Sequence, residues 1–205
     1  MDRLAQLLDT AGPLLGRVDI LLGAGGAPPT HEVWTQLRRV RLLPGDAARA
    51  VAALRPVDLS DAGPELRFSA RSCATLAASL SPPKEWSGTA ADAYDQARVR
   101  TAMHISGGGA SVDDRLRATA DLADALAHWM RRTRDDLAAA LAEVIASAEA
   151  LTLLAEGSDI PARGDLAAAA DLAERVLRTV ADAYDRAADL LHETRPLAEA
   201  LEPAR

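Results

Sequence analysis

The sequence predicts an all-α protein: an elongated antiparallel helical bundle that carries a helical hairpin closed by a Trp-x-Gly turn and a long helical hairpin towards its C-terminus. Three observations lead there. Apolar residues recur at spacings of three, four and seven along most of the chain. Aromatics make up only 3% of the 205 residues, while alanine and leucine dominate, a composition suited to close-packed helices. No run of alternating β-branched residues suggests a strand.

The first helix is predicted over residues 2–22, where Leu4, Leu7, Leu8, Ala11, Leu14, Leu15, Val18 and Leu22 share a face. Gly12-Pro13 should kink it without erasing the pattern. Gly23 to Pro29 reads as a linker: it is glycine-rich, but it lacks the Lys-Ser/Thr of a phosphate-binding loop and has no flanking strand. Thr30 is placed to cap a short helix bearing Val33, Trp34, Leu37 and Val40. Arg38, Arg39 and Arg41 read as a solvated basic face. Pro44-Gly45-Asp46 restarts a helix through Leu54, and Pro64 opens the next one after a loop.

That next helix carries Leu66, Cys73, Leu76, Ala77 and Leu80 at helical spacing, and Pro82-Pro83 stops it. The stretch Glu85-Trp86-Ser87-Gly88-Thr89-Ala90-Ala91-Asp92-Ala93-Tyr94 follows. Ser87 or Thr89 is expected to cap the second arm, which runs to about Ile105, with Gly88 allowing a close backbone approach and Trp86 folding over the hairpin end. Gly107-Gly108-Gly109 is the best hinge candidate, and Ser111 the expected N-cap of the helix beyond it.

A single long helix is predicted over about 112–156. Its seam is Val112, Leu116, Thr119, Ala123, Leu126, Met130, Thr133, Leu137, Ala140, Val144, Ser147, Leu151 and Leu154. Gly157 and Asp159-Ile160-Pro161 turn the chain into a last helix to about Leu201, with Pro196 near its end. The short connection makes the two long helices antiparallel. Three segments follow, 1–63, 64–106 and 107–205, within one continuous domain.

Chemistry is sparse. His31, His104, His128 and His192 show no metal-ligand spacing, so no metal or cofactor is expected. The acid pairs Asp113-Asp114 and Asp135-Asp136 read as exposed helix positions rather than a general acid and base. Cys73, alone, cannot form an intramolecular disulfide, and its place in the apolar pattern predicts a buried, inert thiol. No nucleophile elbow or Cys–His signature occurs, and the expectation is a protein that is not an enzyme. A formal charge of −7 argues against nucleic-acid binding, and no segment approaches the ~20 apolar residues of a membrane span. The N-terminus reads as lacking a signal peptide, so the expected location is cytoplasmic, with any export by a leaderless route.

Trp86-Ser87-Gly88, with the proline stop before it and the small-residue helix after it, resembles the WXG family of helical hairpins handled by actinobacterial type VII (ESX) secretion systems. Lys84 is the only lysine among many arginines, a sign of a GC-rich genome that suits such a source. The resemblance covers roughly residues 64–106 and implies a non-enzymatic interaction module, a secretion substrate or accessory factor, that pairs with itself or another helical protein. Trp86 and Gly88 match the family's motif. Its Tyr-x-x-x-Asp/Glu signal is not matched: Arg98 lies four residues after Tyr94 and Ala188 four after Tyr184. Trp34, Tyr94, Trp129 and Tyr184 are the candidate partner contacts, because exposed aromatics mark binding surfaces. The alternative is a cytoplasmic helical scaffold or regulator unrelated to secretion.

Overall fold

Helix-forming residues at a period near 3.6 fold as that pattern requires. In a computed structural model, residues 2–83, 85–109, 111–155 and 163–194 are described, and they form helices joined by loops, with no strand among them. The helices are α1 (Arg3–Gly25), α2 (Val33–Val40), α3 (Pro44–Ala52), α4 (Val57–Ser60), α5 (Ala62–Ser79), α6 (Thr89–Ile105), α7 (Val112–Ile145), α8 (Ala148–Leu154) and α9 (Arg163–Glu193). The protein is an all-α helical bundle.

The chain divides into two compact units, 1–55 with 129–189, and 56–128 with 190–205. This division cuts across the three expected segments. Residues 1–55 share a unit with the later part of α7, whereas residues 112–128 of α7 belong with the Trp-x-Gly hairpin.

The first unit holds the large core. Leu4, Leu15 and Val18 of α1, Val33 of α2, Leu137, Leu141 and Val144 of α7, Leu153 of α8 and Leu172, Val176 and Leu177 of α9 are all essentially inaccessible. α1 continues through Pro13, which lies exposed inside the helix, and packs on α3 and α8. The ion pairs Asp136–Arg186 and Glu149–Arg175 match rising numbers in α7 and α8 with falling numbers in α9, so α9 runs antiparallel to them.

The predicted helix 112–156 is interrupted. At Ser147 the backbone turns extended, its Oγ accepts from Ala150 N–H at 3.2 Å and donates to Val144 C=O at 2.8 Å, and the axis bends by 63° into α8. The bend changes which residues face inwards. Ala150 and Leu153 are buried, while Leu151 and Leu154, both on the predicted seam, are 69% and 58% exposed. The expected turn at Gly157–Pro161 and the helix end at Pro196–Leu201 lie outside the described residues. Thr30 makes no cap bond; instead His31 Nδ1 accepts the Val33 N–H at 3.1 Å.

The second unit has a different core. Among its described residues every buried apolar side chain is alanine: Ala70 and Ala77 on α5, Ala91 on α6, and Ala120, Ala123 and Ala127 on α7. Arg67 of α5 ties this unit together, bonding Asp121 at 2.6 Å and Asp124 at 2.7 Å on α7. Cys73 is half-buried rather than buried, as a free thiol.

Candidate interaction surfaces

Pro82 and Pro83 lie in the non-helical stretch after α5 ends at Ser79, and Leu80 is already extended. The chain returns into α6 at Gly88, whose φ of 100° is a conformation that side-chain-bearing residues seldom adopt. Space is not the constraint, since a Cβ at Gly88 would meet nothing within 4 Å. This corrects the expected reason for Gly88: backbone dihedral, not close approach. Gly88 is itself the N-cap, with no side-chain cap bond, so neither Ser87 nor Thr89 caps α6.

Trp86 does fold back, but onto Tyr94 rather than into a core. The ring centroids are 5.5 Å apart at 48°, and the two residues are 50% and 43% exposed. Tyr94 Oη donates to Ser81 C=O at 3.2 Å, and Arg98 Nη1 to Leu80 C=O at 3.3 Å, so two α6 side chains fasten the segment leaving α5. Arg98, at the position where the family signal would carry an acid, thus holds the corner and also pairs with Asp95 at 2.7 Å.

Beyond the corner, the hairpin leaves its large apolar side chains outside. Phe68 and Leu76 on α5 and Val99 and Met103 on α6 join Trp86 and Tyr94 among the exposed large hydrophobics. Ala91 is the only buried residue of α6. A buried alanine methyl contributes ~0.8 kcal/mol and a buried leucine or phenylalanine ~1.5–3 kcal/mol, so most of the hairpin's apolar potential is unused.

The far end of α6 is fastened rather than hinged. Asp113 is 2% exposed and accepts from Ser111 Oγ at 2.6 Å, Ser106 Oγ at 2.7 Å and Arg117 Nη2 at 2.8 Å. The Ser106 bond spans Gly107–Gly109, the expected hinge. The three bonds together correct the expectation of an exposed Asp113, because the serine hydroxyls make burial of a carboxylate tolerable. Chiefly through the Ser111 and Ser106 hydrogen bonds, with Arg117 adding to them, its pKa is lowered to about 2.

The remaining aromatics belong to the first unit. Trp34 is half-buried, its Nε1 donates to Pro28 C=O at 3.0 Å, and its ring lies over Gly26; it closes its own loop. His31 Nε2 meets Asp171 Oδ1 at 3.0 Å, fixing that loop to α9, and Arg39 of α2 pairs with Asp185 of α9 at 2.6 Å. Trp129 and Tyr184 come together. They line a cavity of about 140 Å³ with Val51, Leu54, Thr133 and Val180, Ala50 and Ala183 completing the wall. Trp129 Nε1 donates to Ala183 C=O at 2.9 Å. Thr133, predicted only as a seam position, is 2% exposed, and its Oγ1 has no hydrogen-bond partner among the described residues. Sequence periodicity marks Thr133 as buried but carries no signal that its hydroxyl is left over.

Among the described residues no three His, Cys, Asp or Glu side chains gather as metal ligands, and no single helix is long and apolar enough to cross a membrane. No protein-family model, curated protein or solved structure matches the chain.

Proposed function

We propose that this chain is a non-enzymatic helical interaction module, and that the α5–α6 hairpin is its docking element, as in the WXG proteins of type VII secretion systems that residues 64–106 resemble. One observation carries the reading: the second unit buries alanines while Phe68, Leu76, Trp86, Tyr94, Val99 and Met103 stay exposed. Large apolar side chains left in water on neighbouring helices mark a surface that another helix covers. The partner class is a second amphipathic helical hairpin, from another copy of the chain or from a helical protein encoded beside it. The role is that of a secretion substrate or accessory factor.

The test is solution mass by light scattering, for the chain alone and co-expressed with the products of neighbouring genes, together with an export assay of the native protein in its host. A defined complex that Trp86→Ala or Met103→Ser abolishes is the expected result. Both variants should stay folded, because the wild-type side chains are half-exposed or more; Trp86→Ala should cost ~1–2 kcal/mol, below the ~3–5 kcal/mol of a fully buried aromatic. A monomer that joins none of those products and is not exported overturns the reading.

A further inference from the structure

His31 sits between α2 and α9 in the first unit, and its two ring nitrogens do different jobs. Nδ1 accepts the Val33 N–H at 3.1 Å, and Nε2 lies 3.0 Å from Asp171 Oδ1. A backbone N–H only donates, so Nδ1 carries no proton and the ring proton is on Nε2, where it is given to Asp171. Only the neutral ring, in this one tautomer, makes both bonds.

The Val33 N–H depends on that ring. The amides of Trp34 and Thr35 reach the carbonyls of His31 and Glu32 at 3.2 and 2.9 Å, but among the described residues the Val33 N–H has no acceptor besides the imidazole. Val33 is 0% exposed, so water does not replace it. A proton added at Nδ1 sets two donors against each other, the ring turns away, and a buried N–H loses its partner. The same proton turns the Asp171 contact into a charge-assisted one. Protonation therefore moves His31 from α2 to α9 rather than freeing it. Glu32 and Arg38 on the α2 side, and Asp171, Glu174 and Arg178 of α9, line the two hollows that meet at His31. Arg178 is bonded to Glu174 at 2.7 Å and Arg38 to Thr35 at 3.3 Å, which leaves Asp171 as the acid in contact with the ring. The other end of α2 has a separate tether to α9, Arg39 to Asp185 at 2.6 Å.

We infer that His31 is a proton-operated latch on α2. Neutral, it holds the first turn closed; protonated, it stays on Asp171 and lets go of Val33, so that α2 loosens at its start while Arg39 keeps its end in place.

The experiment is NMR of the full chain between about pH 8 and about pH 5, where histidines ionise. This range lies above the one in which Asp113 takes up its proton. It reads the imidazole nitrogens of His31 and the exchange protection of the Val33 amide, corrected for the intrinsic pH dependence of exchange. The neutral ring should carry its proton on Nε2. As the ring titrates, Val33 protection should fall about five- to tenfold, the worth of one hydrogen bond, while that of Val176 in the α9 core holds. His31→Asn keeps a side-chain acceptor two residues before Val33 without a titrating group, so protection should stay level. Asp171→Asn keeps an acceptor for Nε2–H but removes the charge, and should shift the release to lower pH. The inference is overturned if the neutral ring carries its proton on Nδ1, if Val33 protection does not fall as the ring titrates, if it falls equally in His31→Asn, or if Asp171→Asn leaves the release where it was.

Discussion

Asp113 shows how far one side chain departs from its ordinary behaviour when its neighbours are polar. Its carboxylate takes three hydrogen bonds from Ser111, Ser106 and Arg117, and its pKa falls from 3.8 to about 2. Because the folded value lies below the unfolded one, the stabilisation is complete above pH ~4 and is lost as pH falls towards 2. Thermal unfolding followed from pH 5 to pH 2 should therefore show a steeper drop in Tm for the wild type than for Asp113→Asn, the variant being less stable than wild type only at the upper end. Equal pH dependence in the two proteins would remove this role from Asp113. In the sequence Asp113 looks like one of two adjacent acids at a helix start; nothing in that local pattern shows that Ser106 returns to meet it.

At the scale of elements, the bend between α7 and α8 decides which leucines stabilise the bundle. Ser147 caps α8, and the new helix direction puts Leu153 at 0% exposure and Leu151 at 69%. Leu153→Ala should cost ~2–5 kcal/mol in chemical denaturation, as core truncations do. Leu151→Ala should stay within ~0.5 kcal/mol, as exposed substitutions usually do. The reverse order is what an unbroken seam predicts, so the pair decides between the two registers. Helix existence was legible from periodicity: α1, α5 and α6 lie where the spacing places them, within a few residues at their ends, and α9 begins where it is expected. The break was not legible, because Ser147 fits the heptad seam as well as it fits an N-cap, and only the packing of Ala150 and Leu153 chooses between them.

Across the molecule, stability is uneven. The first unit buries leucines and valines on α1, α7, α8 and α9; the second buries only alanines among its described apolar residues, and α6 contributes just Ala91. Local opening free energy follows buried apolar area. Hydrogen-exchange mass spectrometry should thus find α9 and α1 the most protected and α6 exchanging fastest of the helices longer than two turns, with protection of α6 rising once its partner is bound. Slow exchange in α6 of the isolated chain would contradict both this ranking and the docking role given to the hairpin. The sequence by itself determined the fold class, because helical period and an alanine-leucine composition leave no other way to bury this chain. It also placed the corner at Trp86–Gly88, since the prolines before it cannot continue a helix and the Trp-x-Gly step precedes the next helical pattern. Tertiary structure alone decided which apolar side chains are used and which are left out, joined Trp129 and Tyr184 in one cavity wall, and buried Asp113. Those outcomes depend on residues far apart in the chain meeting in space, and no local pattern encodes such a meeting.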